Sequence, residues 1–270
     1  MAATDNVFAG SIPGIYEQHL VPLLFEPYAL DLAERLAKTG PQDVLETAAG
    51  TGVLTRKIAS RVPARARIVA TDLNQPMLDH ARARMPQEGR IEWRQADALA
   101  LPFADQSFDA VACQFGAMFF SDKVQGYGEA RRVLRPGGHL FANVWDRISE
   151  NEFADVISEA VATLFEKDPP DFMARTPHGY HDVEQIRRDL NAAGFDDVAV
   201  EAVAYKSKAA SARDAAIAYC QGTPLRSEIE TRDPSKLEEA TQRATEALAR
   251  RFGSGAIEGR IRAFVITAVR

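Results

Sequence analysis

The stretch Val44-Leu45-Glu46-Thr47-Ala48-Ala49-Gly50-Thr51-Gly52 decides how the rest of the chain reads. Its first half is apolar and suits a short buried strand, Asp43 to Thr47. Its second half is a turn of small residues, and a helix running to about Arg61 follows. Residues without large side chains are needed in such a turn when a ligand must come close to the backbone. At the carboxyl end of the first strand of a doubly wound sheet, the turn lies where such folds bind nucleotides. A tight strand–helix turn with no ligand is the competing reading.

Working outward, the same alternation recurs. Arg67 to Asp72 reads as a second strand and Pro76 to Met85 as a helix. Ile91 to Ala96 and Phe108 to Gln114 read as the third and fourth strands. Lys123 to Leu134 is helical, and Arg135-Pro136-Gly137-Gly138 separates it from a fifth strand, His139 to Trp145. Strands interleaved with helices predict a parallel sheet covered on both faces. Upstream, Ile15 to Lys38 has helical spacing, with Pro22 and Pro27 marking turns or kinks. Downstream the expected order is helix (Glu150 to Phe165), loop (Asp168 to Asp171) and helix (Asp182 to Ala193, closed by Gly194). A strand (Asp197 to Ala204), helices near Ser211 to Cys220 and Ser235 to Phe252, and a last strand (Arg260 to Val269) complete it.

Two further acids strengthen the first motif. Asp72 ends the second strand, 20 residues after Gly52, where a carboxylate can accept from both hydroxyls of a ribose. Helix capping is the alternative. Asp97-Ala98 follows the third strand; the Asp can accept from an adenine amino group while the Ala98 N–H faces a ring nitrogen, or it can simply form a turn. Leu73 and Met77 can pack on the faces of that base or belong to the core.

Taken in order, Glu46 to Gly52, Asp72, Asp97-Ala98 and Leu134-Arg135-Pro136-Gly137-Gly138 resemble the motif set of class I S-adenosylmethionine-dependent methyltransferases. The likeness is greatest to the branch related to ubiquinone and menaquinone biosynthesis. The resemblance implies a Rossmann-like α/β fold: a doubly wound seven-stranded sheet, last strand antiparallel between the fifth and sixth, with helical cap insertions. It implies S-adenosyl-L-methionine as cofactor. Ala48, Gly50 and Gly52 would face its methionine part, with Glu46 in the same motif; Asp72 would hold the ribose and Asp97 with Ala98 the adenine. Gln114 would offer its backbone carbonyl to the ammonium. Apart from the resemblance, Tyr16 reads either as lining the cofactor entrance or as anchoring its own helix. Ala48 and Ala49 depart from the family, which has Gly and a small residue there; a positive φ at Ala48 would make its Cβ costly.

The implied organisation is an N-terminal helical cap segment (1–42), a cofactor-binding core (43–146), a cap insertion (147–181), a core continuation (182–208), a helical insertion (209–258) and a final core strand (259–270). Methyl transfer from a sulfonium is an in-line displacement, so the protein chiefly aligns the nucleophile and excludes water. A base is needed only where the acceptor must lose a proton. His19, His178 and His181 are the candidates, against surface or helix-entry roles; His80 and His139 read as structural. Phe115, Met118, Phe119 and Phe120 begin a substrate pocket or pack beneath the cap.

Composition narrows the partners. The 32 basic and 38 acidic residues leave a net charge of −6, with 46% hydrophobic and 26% charged residues. That balance does not attract nucleic acid or an anionic membrane. Ala112-Cys113-Gln114 lacks the proline that cytosine-C5 methyltransferases place before their cysteine, and Gln114-Phe115-Gly116-Ala117 lacks the loop of base-amino methyltransferases. A small-molecule methyl acceptor is expected, with no nucleic acid and no membrane; a homodimer stays among the options. Cys113 and Cys220 lack metal-ligand spacing, so no metal is expected, and Met1 to Gly10 has no signal-peptide pattern. Both fit a cytoplasmic location. The alternatives are a non-catalytic cofactor-binding protein on this fold, or an NAD(P)-dependent dehydrogenase. The second suits Thr55 poorly and gives Asp97-Ala98 no role.

Overall fold

The computed structural model describes residues 12–85 and 89–270; the reading of Met1 to Gly10 lies outside the described residues. A short helix α1 (Ile12–Ile15) leads into a π-helical stretch, Tyr16–Phe25, and then α2 (Glu26–Ala37). Pro22 lies inside the π-helical stretch. A proline cannot donate to the helical ladder, and the wider turn accommodates it where the sequence suggested a kink.

The βα alternation follows as β1 (Asp43–Glu46), α3 (Val53–Ala59), β2 (Arg67–Asp72), α4 (Gln75–Arg84), β3 (Ile91–Gln95), β4 (Phe108–Gln114), α5 (Lys123–Val133) and β5 (Leu134–Trp145). Then come α6 (Glu152–Ala162), α7 (Phe172–Arg175), α8 (Val183–Ala192), β6 (Asp197–Ala209), α9 (Ala212–Gly222), α10 (Leu225–Arg232), α11 (Leu237–Phe252) and β7 (Ile257–Val269). The sheet has seven strands in the order β3-β2-β1-β4-β5-β7-β6.

β1, β2, β3, β4 and β5 pair in parallel. Val44, Leu45, Ile68, Val69, Ala110, Val111 and Ala142 are completely buried, as parallel strands covered on both faces require. β7 runs the other way. Arg270 N donates to the Gly138 carbonyl (2.9 Å) and Asp146 N to the Arg262 carbonyl (3.1 Å), so β7 retreats as β5 advances. The expected antiparallel insertion is therefore present.

β5 starts earlier than the sequence suggested. Leu134 already pairs with Phe108, the next paired residues are His139 and Ala110, and Arg135–Gly138 form an irregularity within the strand. Those residues bulge out of the strand rather than separate it from the preceding helix.

The chain divides into two compact units. The sheet unit comprises Glu26–Val144, His181–Val203 and Ala263–Arg270; the helical unit comprises the segment ending at Phe25, Trp145–Tyr180 and Ala204–Arg262. In the helical unit α11 packs on both α6 and α9, and Phe153 meets Phe252 edge-on at 5.1 Å. Buried Glu228 accepts from the N–H groups of Asp171 and Phe172 and pairs with Arg175 at 2.9 Å, which ties α7 to α10. Among the described residues no helix is long and apolar enough to cross a membrane.

Candidate functional site

Three strand tips of the sheet unit are laced together at their carboxyl ends. After β1 the chain turns through Ala48 at φ 53°, Gly50 at φ 56° and Gly52 at φ 81°. Gly52 precedes the first turn of α3, and Arg56 N donates to its carbonyl. Asp72 ends β2 and is 7% exposed. One of its carboxylate oxygens accepts from Gly50 N (2.8 Å) and the other from Asn74 N (2.8 Å). Burial pushes the Asp72 carboxyl above its usual range, while the N–H groups of Asn74 and Gly50 oppose the shift. The third tip joins through Ala96 N on the Asp72 carbonyl (3.0 Å) and Gln95 Nε2 on the Leu73 carbonyl (2.8 Å).

Met77 is buried, and its Cε approaches to 3.7 Å of where a Gly50 Cβ would stand. Leu73, next to Asp72, is 45% exposed, one of few large apolar side chains so placed among the described residues. Asp97 is exposed, and one of its oxygens accepts from Leu99 N at 2.9 Å, which closes the turn after β3; Ala98 is half-buried. The sheet unit thus brings Glu46, Ala48, Gly50, Gly52, Asp72, Leu73, Met77, Asp97 and Ala98 to neighbouring strand ends.

The fourth tip is as strained as the first. Gln114, the buried last residue of β4, is followed by Phe115 at φ 53°, whose N–H donates to the Asn143 carbonyl (3.1 Å). A non-glycine residue in this left-handed region costs roughly 1–2 kcal/mol. Packing holds it: the Phe115 ring meets Tyr28 edge-on at 5.3 Å, and the Tyr28 hydroxyl donates to the Val203 carbonyl. Gly116 then passes so close to Ala48 that a Cβ there would lie well inside van der Waals contact with the Ala48 Cβ, and 2.9 Å from Cys113 Sγ. The expected cost at Ala48 is therefore real, and its methyl sits against the one residue type that leaves room.

Register places four polar side chains on one face of the sheet. Glu46 is paired with Ala70 and Ala112, and Gln114 with Asn143; partners and second neighbours share a face. Glu46, Asp72, Gln114 and Asn143 therefore lie on the same side. Glu46 is 1% exposed with Oε2 lacking a hydrogen-bond partner, and Asn143 is fully buried with neither amide atom partnered. Buried polar groups are nearly always satisfied, so orphans clustered at strand tips mark a place for a polar ligand. Asn143 was not singled out in the sequence; an amide inside the run Leu140-Phe141-Ala142-Asn143-Val144-Trp145 was the available signal.

Tyr16, His19 and His178 belong to the helical unit. Tyr16 stacks on Phe25 at 5.1 Å, and His19 is half-buried. His178 is 4% exposed with Nδ1 2.7 Å from the Asp146 carbonyl. A carbonyl only accepts, so Nδ1 carries the proton and Nε2 is the basic nitrogen. His181 is half-buried in the sheet unit, just before α8. Cys113 and Cys220 are free and buried, with burial pushing the thiols up to about 11 and about 12, which leaves both inert near neutral pH. Among the described residues no group of His, Cys, Asp or Glu could hold a metal ion.

A methyltransferase-domain family model matches residues 44–138, the segment that carries all four strand tips. A demethylmenaquinone methyltransferase of Thermus thermophilus is 43% identical over 113 residues, 42% of this chain and 50% of that protein. A ubiquinone/menaquinone biosynthesis C-methyltransferase of Paracoccus denitrificans is 33% identical over 178 residues, 60% of this chain and 70% of that protein. The chain belongs to the class I S-adenosylmethionine-dependent methyltransferase family. Within this family its place is the ubiquinone/menaquinone-like branch. It spans about half the length, or less, of three curated relatives that are 43%, 44% and 45% identical. The methyltransferase fold is shared with phosphoethanolamine N-methyltransferase 2 of Haemonchus contortus, solved in complex with S-adenosyl-L-methionine. The TM-score is 0.58 at 17% identity, over 96% of this chain and 56% of that one.

Proposed function

We propose that the protein is an S-adenosyl-L-methionine-dependent methyltransferase that moves a methyl group, by in-line displacement, to an oxygen, nitrogen or carbon nucleophile of a small molecule. The observation that carries this reading is the Gly50 N–H on the Asp72 carboxylate, between a turn of left-handed small residues and an exposed Leu73. The relatives' methyltransferase names and the cofactor bound to the Haemonchus protein support it.

The residues present fit such a cofactor. Ala48 and Gly50 keep large side chains off the turn on which a ligand would lie, Gly52 makes room for Trp93 and Ala81 behind it, and the unpartnered Glu46 Oε2 supplies a polar wall. In this reading Asp72 holds the ribose, Leu73 and Met77 bracket the adenine, Asp97 and Ala98 read its edge, and the Gln114 carbonyl receives the ammonium. The bound cofactor supplies an electrophilic methyl on a positively charged sulfur. The protein's own part is to hold both reactants in line and keep water out, an effect worth several kcal/mol of barrier. Acceptors that must shed a proton need a base. His178, with its tautomer fixed by the Asp146 carbonyl, is the first of the three histidine candidates to test, followed by His19 and His181. The two free buried thiols suit a cytoplasmic setting.

The test is a screen of small phenols, quinols, amines and carboxylic acids with the cofactor in excess. Sustained formation of S-adenosylhomocysteine supports the proposal. Stoichiometric cofactor binding without turnover across the screen contradicts catalysis and favours a binding protein on the same fold.

A further inference from the structure

Glu46 is a buried acid without a counter-ion bonded to it. It closes β1, is 1% exposed, and its Oε2 has no hydrogen-bond partner. The ionisable groups that reach it come from three neighbouring elements. β2 brings Asp72, a like charge; β4 brings Cys113, whose thiol is itself held protonated by burial; and α3 brings Arg56. The Arg56 guanidinium is engaged elsewhere, its Nη1 donating to the Thr51 carbonyl at 2.9 Å. On α2, Arg35 is committed to Asp31 and Glu201, both at 2.8 Å. A carboxylate so enclosed, with one oxygen unpaired and another carboxylate near, is less stable than the neutral acid.

We infer that Glu46 holds a proton in the ligand-free protein and releases it when the cationic end of a ligand settles on the turn beside Gly50, so that cofactor binding expels one proton. This rests on the function proposed above. The balance is simple: the carboxyl O–H bond breaks, its electron pair stays on the carboxylate, and the proton passes to the buffer. The carboxylate that remains faces an ammonium or sulfonium, which offsets its burial. In the free protein burial and Asp72 push the Glu46 carboxyl up to about 8, against the opposing pull of Thr55 and Arg56. Cofactor affinity consequently rises with pH until the acid is ionised beforehand, and levels off above about pH 8. The same device favours ligands that carry positive charge: a neutral nucleoside of the same shape leaves the proton in place.

The experiment is calorimetric titration of S-adenosylhomocysteine into the full chain at pH 7, in two buffers of different ionisation enthalpy. About 0.9 proton released per ligand is expected, and about eightfold tighter binding at pH 7.5 than at pH 6.5. Glu46→Gln copies the neutral acid in shape, so its fold should be kept; it should bind without releasing a proton and without this pH dependence. Adenosine should bind without proton release. Binding by the wild type with no proton release, or release unchanged in Glu46→Gln, overturns this inference alone. Absence of any binding overturns it together with the cofactor assignment on which it rests.

Discussion

Adding one methyl group at Gly116 should pull the first and fourth strand tips apart. Gly116 has φ −98° and ψ −38°, a conformation open to any residue, so the objection to a side chain there is space alone. In Gly116→Ala the new Cβ meets the Ala48 Cβ head-on and stands 2.9 Å from Cys113 Sγ. Overpacking of this kind costs about 1–3 kcal/mol. At about 2–4 °C per kcal/mol for a chain of this size, a midpoint of this variant's unfolding about 2–12 °C lower is expected. Ala48→Gly works in the opposite direction. It removes a left-handed Cβ worth roughly 1–2 kcal/mol, less about 0.5–1 kcal/mol for the added freedom of the unfolded chain, and comes out near neutral or slightly stabilising. In the double variant the worse collision is gone and only the Cys113 contact remains. The pair should therefore be non-additive by roughly 1–2 kcal/mol in favour of the double variant. Thermal unfolding of the four proteins reads this coupling, and S-adenosylhomocysteine titration should show weakened binding in Gly116→Ala with recovery in the double variant. Additive shifts, or a Gly116→Ala protein as stable as the parent, would refute the claim that these tips are held in direct contact.

Other consequences are as specific. Asp72→Asn keeps the side-chain shape but loses a charged acceptor, so S-adenosylhomocysteine affinity should fall about 10- to 150-fold, the equivalent of roughly 1.5–3 kcal/mol; unchanged affinity in calorimetry contradicts the ribose assignment. Ligand-free stability should depend on Glu46 with a definite sign. Its folded pKa of about 8 lies above the usual 4.5, so its contribution is fully present below about pH 4.5 and is lost as pH rises through 8. Unfolding midpoints of the parent should therefore fall relative to Glu46→Gln across that window, and a constant difference contradicts the raised value. Asn143→Leu replaces an unpartnered buried amide with an apolar group of similar size, and should raise stability by up to about 1–3 kcal/mol; a lower unfolding midpoint would show that the amide has a partner.

The sheet was legible because its central strands are buried on both faces. Ile68 to Ala70 and Ala110 to Ala112 allow no other reading, and the limits expected for β2 and β4 match those found. The turn after β1 was legible for a different reason: left-handed backbone and close approach of neighbouring strand tips restrict side-chain size, and acids at strand ends are few. The features that escape the local sequence are controlled by contacts distant along the chain. Nothing local says that Leu134 already pairs with Phe108 across the Arg135–Gly138 bulge. Nor does periodicity reveal that β6 continues to Ala209, or that α10 starts directly after Pro224. The π-helical passage around Pro22 reads locally as a kink, whereas in the helical unit it continues as helix and packs on α9. Asn143 escaped notice because one amide in an apolar strand carries no pattern; its meaning comes from Gln114 beside it in register.

The most direct measurement is a crystal structure of the protein grown with saturating S-adenosylhomocysteine. Both ribose hydroxyls are expected within about 2.6–3.2 Å of the Asp72 carboxylate, with the amino-acid end lying over Ala48 and Gly50 and the adenine against Leu73. Ligand bound at another place, or Asp72 still bonded only to Gly50 and Asn74 while the ligand lies elsewhere, would contradict this placement.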